Sequence, residues 1–334
     1  MKFSIFQESR LGARKINQDR VGYCYSRDAL LMVVADGMGG HLNGELAAQI
    51  ALQYLTELFR GEARMRLGDP ARFLHHGLND AHEAILDCVR TRNLPEAPRT
   101  TCVACVVQDG VATWAHVGDS RLYHVRDGKI LSQTRDHSKV QWLVDTGQLR
   151  EEAASRHPER NKVLNCLGGS RPPQVDLSHR NRLADGDALV LCTDGLWGAL
   201  TPGMLASVLS RKTLRKRLPT LLDLAQARAG RGCDNLSVVA MSWTEPGATL
   251  VDTSTRTLEL DEFAHESSAA ARMRPKDRDA SGDAGAPADT ATHPIDRERA
   301  GAEANPGYLS DEEIERAIEE IRSAIRRRTP PGAR

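Results

Sequence analysis

The chain has 334 residues, and its 45 basic and 45 acidic side chains cancel to a formal charge of zero. That balance excludes a polyanion binder built on bulk charge, while a hydrophobic content of 40% suffices for a packed core. The longest uninterrupted apolar run, Ala29 to Ala35, has seven residues, far short of the about 20 that a membrane helix needs. The opening MKFSIFQESR lacks the basic-then-apolar build of a secretory signal. Seven cysteines scattered through apolar runs read as reduced thiols. Together these features predict a cytoplasmic chain without a membrane span.

Short strand-like runs dominate the first 245 residues. Runs at 3–8, 21–25 and 30–35 come first, followed by helical periodicity over 45–59, through Leu46, Ile50, Tyr54, Leu55 and Leu58, and over 71–89. Further strand signals cover 101–108, 111–117 and 121–125. Asp109-Gly110 and Asp127-Gly128 lie beside these runs and read as tight hairpin turns. A strand over 189–193, a helix over 214–228 and a strand over 237–242 complete the set. Hairpin-rich sheets with a few long helices predict an α+β domain. Cys102 and Cys105 have the spelling of a redox or zinc pair, but positions i and i+3 on a strand face opposite sides. Packing is therefore their expected role. His75 and His76 are expected on a solvated helix face.

Composition changes near residue 245. The 45 residues from 264 to 308 hold only three large apolar side chains, Met273, Ile295 and Tyr308. Such a stretch cannot bury enough surface to offset chain entropy, so 246–308 is predicted to be a disordered linker. Beyond it, Ser310 and Glu313 have the form of a capping box, and Ile314, Ile318, Ile321 and Ile325 recur at helical spacing. Acidic residues first and Arg326 to Arg328 last suit the helix dipole. An amphipathic helix over 309–328 is expected. Its apolar stripe is too narrow to be stable alone in water. A solvated tail, docking on a protein partner and docking on the domain itself all remain open.

Five Asp-Gly pairs occur. Those at 109, 127 and 185 lie in polar surroundings, where a plain turn explains them. The other two follow strongly apolar strands, as LLMVVA-Asp36-Gly37 and ALVLCT-Asp194-Gly195. Each places a carboxylate at the carboxyl end of a buried strand, with a glycine allowing a sharp exit and a close approach of backbone to ligand. Asp234 immediately precedes the last strand, and Asp119 follows the strand ending His116-Val117-Gly118. Uncompensated carboxylates are costly at buried strand ends. A hard divalent cation would resolve that cost, because it binds carboxylate and carbonyl oxygens and water. Any single one of these aspartates is explained equally well as a cap.

The set as a whole is more specific. RKINQD at 14–19, VVADGMGGH at 33–41, RTT at 99–101, VGDSRLY at 117–123, RDHS at 135–138, LCTDGLW at 191–197 and DNLSVV at 234–239 follow one another across 1–243. In that order they resemble the metal-dependent protein phosphatases, the PPM or type 2C serine/threonine phosphatases, in their compact bacterial form. The resemblance implies an α-β-β-α sandwich over 1–245, with two packed antiparallel β-sheets flanked by helices. It also implies two Mn²⁺ or Mg²⁺ ions and a third, weaker one. Asp36 would bridge two ions and the Gly37 carbonyl would contribute to one. Asp194 and Asp234 would bind the other, and Asp119 would support the third. Asp19 would orient metal-bound water, and Arg14 would hold the phosphate.

The chemistry suits those residue types. Two close metals supply hydroxide near neutral pH for in-line attack on phosphorus, and the arginine fork donates two parallel hydrogen bonds to phosphate. The implied function is hydrolysis of phosphoserine and phosphothreonine in proteins, opposing a bacterial Ser/Thr kinase. Two positions depart from the family pattern. Gln18 stands where many members carry a glutamate that helps hold one metal through water. Met38 stands where animal members have a histidine. The nearest histidine, His41, reads as a loop-stabilising residue outside the catalytic set. Residues 138–165 fall where the family has a variable flap. A different class of protein, a catalytically weak phosphatase-like scaffold recruited through its C-terminal helix, would be favoured by loss of a metal aspartate, and none is lost. A nuclease would need a basic surface bias for nucleic acid, which the neutral charge denies.

Overall fold

The computed structural model describes residues 1–38, 43–209 and 214–244, together with Arg316. The predicted linker and His41 lie outside the described residues, as do, Arg316 apart, the positions of the C-terminal helix.

Strands β1 (Lys2–Arg10), β2 (Asp19–Tyr25) and β3 (Ala29–Met38) precede helices α1 (Gly44–Glu62) and α2 (Pro70–Arg92). Then come β4 (Arg99–Thr100), β5 (Cys102–Gln108), β6 (Val111–Val117), β7 (Arg121–Arg126) and β8 (Lys129–Gln133). Helices α3 (Lys139–Asp145) and α4 (Glu151–Ala154) occupy the flap segment. Short β9 (Asp176–Leu177) and β10 (Asn181–Arg182) follow. The domain ends with β11 (Ala188–Cys192), α5 (Asp194–Trp197), α6 (Pro202–Leu209), α7 (Leu214–Ala229) and β12 (Leu236–Thr244). Helix α2 starts where Asp69 accepts from the Ala71 and Arg72 amides and Pro70 fills the first turn.

Two antiparallel sheets form. One runs β1-β12-β11-β7-β8, and the other β10-β6-β5-β3-β2, with β4 beside β3 and β9 beside β6. Alternation along β3 shows how they stack. Ala29, Leu31 and Val33 pack under α1 and α2, whereas Leu30, Met32 and Val34 face the second sheet. On the opposite side, Val190 and Cys192 of β11 pack under α5 to α7, and Leu189 and Leu191 point inward. The result is an α-β-β-α sandwich with three apolar layers.

Asp109-Gly110 and Asp127-Gly128 are two-residue hairpin turns with both residues at positive φ, joining Gln108 to Val111 and Arg126 to Lys129. Cys102 sits in the helix-side layer and Cys105 in the inter-sheet layer, so the two thiols face apart. His75 and His76 are exposed. One expectation is corrected. The strand carrying Asp36 does not exit at Gly37 but continues to Met38, because Gly37 and Met38 pair with Thr100 and Arg99. Among the described residues no helix is long and apolar enough to cross a membrane.

Candidate metal centre

Asp19 and Asp36 are direct cross-strand partners on β2 and β3. Their side chains share the face of Val21 and Val34, which is the inter-sheet face. Asp194, separated from β11 by Thr193 alone, opens the single turn of α5, and Asp234 is separated by Asn235 alone from β12, the strand paired with β11. Asp119 follows β6 on the way to β7, whose Arg121 is the cross-strand partner of Cys192. Both sheets therefore deliver carboxylates to one end of the sandwich. Asp19 and Asp119 are buried, while Asp36, Asp194 and Asp234 each keep an exposed edge.

These groups act strongly on one another. Desolvation, then the charges of Asp19, Asp194, Asp119 and Asp234, pushes Asp36 well above the usual carboxylate range. Desolvation and the charge of Asp194 do the same to Asp119. Burial raises Asp19 to about 7 despite hydrogen bonds from Ser237 and Thr193. Burial and the charge of Asp234 raise Asp194 to about 6. Arg14 faces this crowd. Its Nε and Nη2 each donate to Asp234 at 2.7 Å, and its side chain stays 59% exposed.

Neighbouring residues hold the frame. A Cβ on Gly37 would lie 2.2 Å from the Gly44 carbonyl oxygen and 2.6 Å from that of Gln18, so no other residue fits there without moving backbone. The Asp36 carbonyl accepts from the Thr101 amide at 2.9 Å and from the Thr100 hydroxyl at 2.9 Å. Asn235 accepts from the Gln18 amide and donates to the Leu11 and Ile16 carbonyls. It thereby ties the 11–18 loop to β12. The Thr193 hydroxyl donates to Asp19 at 2.9 Å and accepts from the Ser237 amide at 3.1 Å. Trp197 donates its indole N–H to the Asp119 carbonyl at 3.0 Å and lies under the Arg121 guanidinium, 3.7 Å from ring centre to Cζ. Arg121 in turn binds both oxygens of Asp136.

Comparison with known proteins gives this arrangement a family. The sequence profile described as Protein phosphatase 2C matches residues 7–226. This chain belongs to the protein phosphatase 2C family. The serine/threonine phosphatase stp of Listeria innocua is 28% identical over 70% of this chain and 93% of its own length. The serine/threonine protein phosphatase PstP of Mycobacterium tuberculosis is 33% identical over 68% of this chain but 42% of its own length. In structure, the S. agalactiae serine/threonine phosphatase superposes with a TM-score of 0.65 at 31% identity, over 73% of this chain and all of that one. The catalytic domain of PstP in complex with two manganese ions superposes with a TM-score of 0.61 at 28% identity, over 73% of this chain and all of that domain.

The donor set of this type 2C phosphatase fits hard divalent cations. The clustered aspartates are oxygen donors of the kind such ions take, and their mutual repulsion calls for positive charge. Among the described residues, a different cluster, His116, His137 and Asp176, brings its ligand atoms within 4.8 Å of one another. Its tautomers oppose metal binding. His137 Nδ1 accepts from the Gly118 amide at 3.2 Å and from the Asn165 amide at 2.6 Å, so its proton sits on Nε2, the atom that faces Asp176. Sequence reasoning missed Thr193, Asn235, Trp197 and Glu45. Thr193, Asn235 and Trp197 lie inside quoted motifs and Glu45 four residues beyond one, but only the folded chain shows which atoms they reach.

Proposed function

We propose that this protein phosphatase 2C hydrolyses phosphoserine and phosphothreonine in proteins, using two Mn²⁺ or Mg²⁺ ions and opposing a bacterial serine/threonine kinase. The observation that carries this reading is the convergence of Asp36, Asp194 and Asp234 from three strand ends, with Arg14 at the rim. In this reading Asp36 would hold both ions, the Gly37 carbonyl would contribute to one, and Asp194 and Asp234 would hold the other. Asp119 would support a third, weaker ion. When bound, such ions activate water and offset charge on the phosphoryl oxygens. Asp19, with Oδ2 fixed by Thr193, presents its other oxygen to orient the attacking water. The exposed Arg14 fork turns from Asp234 to a phosphoryl group with the same two donors.

The catalytic domain is read as 1–245, supported by the end of β12 at Thr244 and by structural relatives that cover 73% of the chain. From their composition, residues 246–308 are read as a linker and 309–328 as an amphipathic helix, with a solvated tail, docking on a protein partner and docking on the domain all open. All seven cysteines are unpaired, which supports a reducing compartment and a cytoplasmic location. Retention of every expected metal aspartate weighs against a catalytically weak scaffold.

The test is hydrolysis of a phosphothreonine peptide by the full chain with Mn²⁺, with EDTA as control. Turnover is expected with Mn²⁺ and lost with EDTA or in Asp36→Asn. Near-normal turnover by Asp36→Asn at saturating Mn²⁺ would sink the assignment.

A further inference from the structure

Glu45 stands in the first turn of α1 and is only 4% exposed. Its Oε2 accepts a hydrogen bond of 3.2 Å from the side-chain amide of Gln18. Among the described residues no lysine, arginine or histidine forms an ion pair with it. A nearly buried carboxylate with a neutral donor and no cation is expensive unless positive charge arrives from elsewhere.

Its surroundings say where that charge would come from. Gln18 is anchored on both sides of the centre. Its amide donates to Asn235, next to Asp234, and its carbonyl accepts from the Gly37 amide at 3.2 Å. Gly44, the residue before Glu45, presses on the same point, since a Cβ there would lie 2.8 Å from both Gln18 Nε2 and the Gly37 carbonyl carbon. One wall of the centre is thus built from Gly37, Gly44, Gln18 and Glu45. Gln18 itself brings no charge to it.

We propose that Glu45, linked through the Gln18 amide, is the outer carboxylate that supports the metal ion on the Gly37 side. This rests on the metal-dependent reading given above. The negative charge absent at position 18 is supplied by a helix residue 27 positions later. Gln18 orients the assembly by donating to Glu45 with its nitrogen, leaving its oxygen to accept from water in the centre. Glu45 is accordingly a positioning residue and not a catalytic one.

The test is calorimetric titration of the EDTA-stripped, dialysed full chain with Mn²⁺, supported by melting temperatures in EDTA. Glu45→Gln is expected to weaken Mn²⁺ binding by roughly 10–100-fold, the range for loss of an outer-shell partner, with the metal-free melting temperature retained. The double variant Gln18→Glu with Glu45→Gln keeps the charge and exchanges donor for acceptor, so it should recover most of the lost affinity. A role confined to packing predicts no such recovery. Unchanged Mn²⁺ affinity in Glu45→Gln, or a double variant as weak as the single one, overturns the proposal. If Glu45→Gln fails to fold, Gln18→Glu alone decides. It presses two carboxylates together, so it should tighten Mn²⁺ binding while lowering the metal-free melting temperature, and unchanged or weaker binding counts against the proposal. Absence of Mn²⁺ binding by the unsubstituted chain would overturn the metal reading itself. Normal binding there, with Glu45→Gln unaffected, overturns only the role of Glu45.

Discussion

The Arg14 guanidinium grips both oxygens of Asp234 across 220 sequence positions, with each hydrogen bond at 2.7 Å. The group expected to hold phosphate and a carboxylate expected to hold metal are therefore partners. Arg14 stands at the rim and satisfies Asp234, and it would be freed if a divalent ion took that carboxylate.

Replacing Arg14 by Ala separates those two duties. The variant should show a raised KM for a phosphothreonine peptide, with a cost on the order of 1.5–3 kcal/mol for a lost charged hydrogen bond. Mn²⁺ affinity should hold or tighten, because a competing cation has gone. A collapse of Mn²⁺ binding in calorimetry would instead make Arg14 the residue that aims Asp234.

The metal-free protein should lose stability as pH rises. Asp19 and Asp194 sit at about 7 and about 6, and Asp36 and Asp119 lie well above the usual range, against about 4 in an unfolded chain. The folded form therefore holds more protons than the unfolded one. These groups contribute full stability below about pH 4 and lose it as pH climbs through the folded values. His82 and His116, lowered by burial, oppose this trend only below about 6.5. The melting temperature in EDTA should fall between about pH 6.5 and 8, and Mn²⁺ should flatten the slope. A flat or rising curve in EDTA would contradict the arrangement.

Thr193→Val keeps shape and removes one hydroxyl. The Asp19 carboxylate keeps its bond from Ser237 but loses the one from Thr193, and the Ser237 amide loses the hydroxyl it donates to, at a cost of about 1–3 kcal/mol in urea unfolding. If Asp19 orients the attacking water, turnover should drop while KM stays near its original value. Retained turnover in a clearly destabilised variant would leave Thr193 with a structural role alone.

A chain ending at residue 245 should remain folded and active on a small phosphopeptide, because β12 closes its sheet by Thr244. Unchanged activity and melting temperature would exclude docking of the tail on the domain. A gain in activity would point to autoinhibition, and failure to fold would refute the boundary.

Asp36 and Asp194 stood out because each follows a strongly apolar run, and the hairpin turns because Asp-Gly dictates its own backbone, whereas Asp19 and Asp234 carried no such local signal. Strand β8 was not, since KILSQ alternates only between exposed and half-buried positions at the sheet edge and leaves Leu131 in water. The continuation of β3 past Asp36 was hidden for another reason. It depends on pairing with Arg99 and Thr100, more than 60 residues away, and no local signal reports that. Glu45 reads as an ordinary acidic residue at a helix start, and its burial against Gln18 is a product of tertiary packing alone.

The placement of β12 has a temporal consequence. This last strand lies between β1 and β11, so Lys2 pairs with Thr244 and Arg10 with Leu236. A nascent chain that stops short of residue 234 carries Asp19, Asp36, Asp119 and Asp194 but has a gap in its five-stranded sheet and no partner for Arg14. Synthesis proceeds from the amino end, so competence arrives in a single step, after nearly the whole domain has left the ribosome. A premature stop before β12 is therefore expected to yield an inert protein rather than an attenuated one.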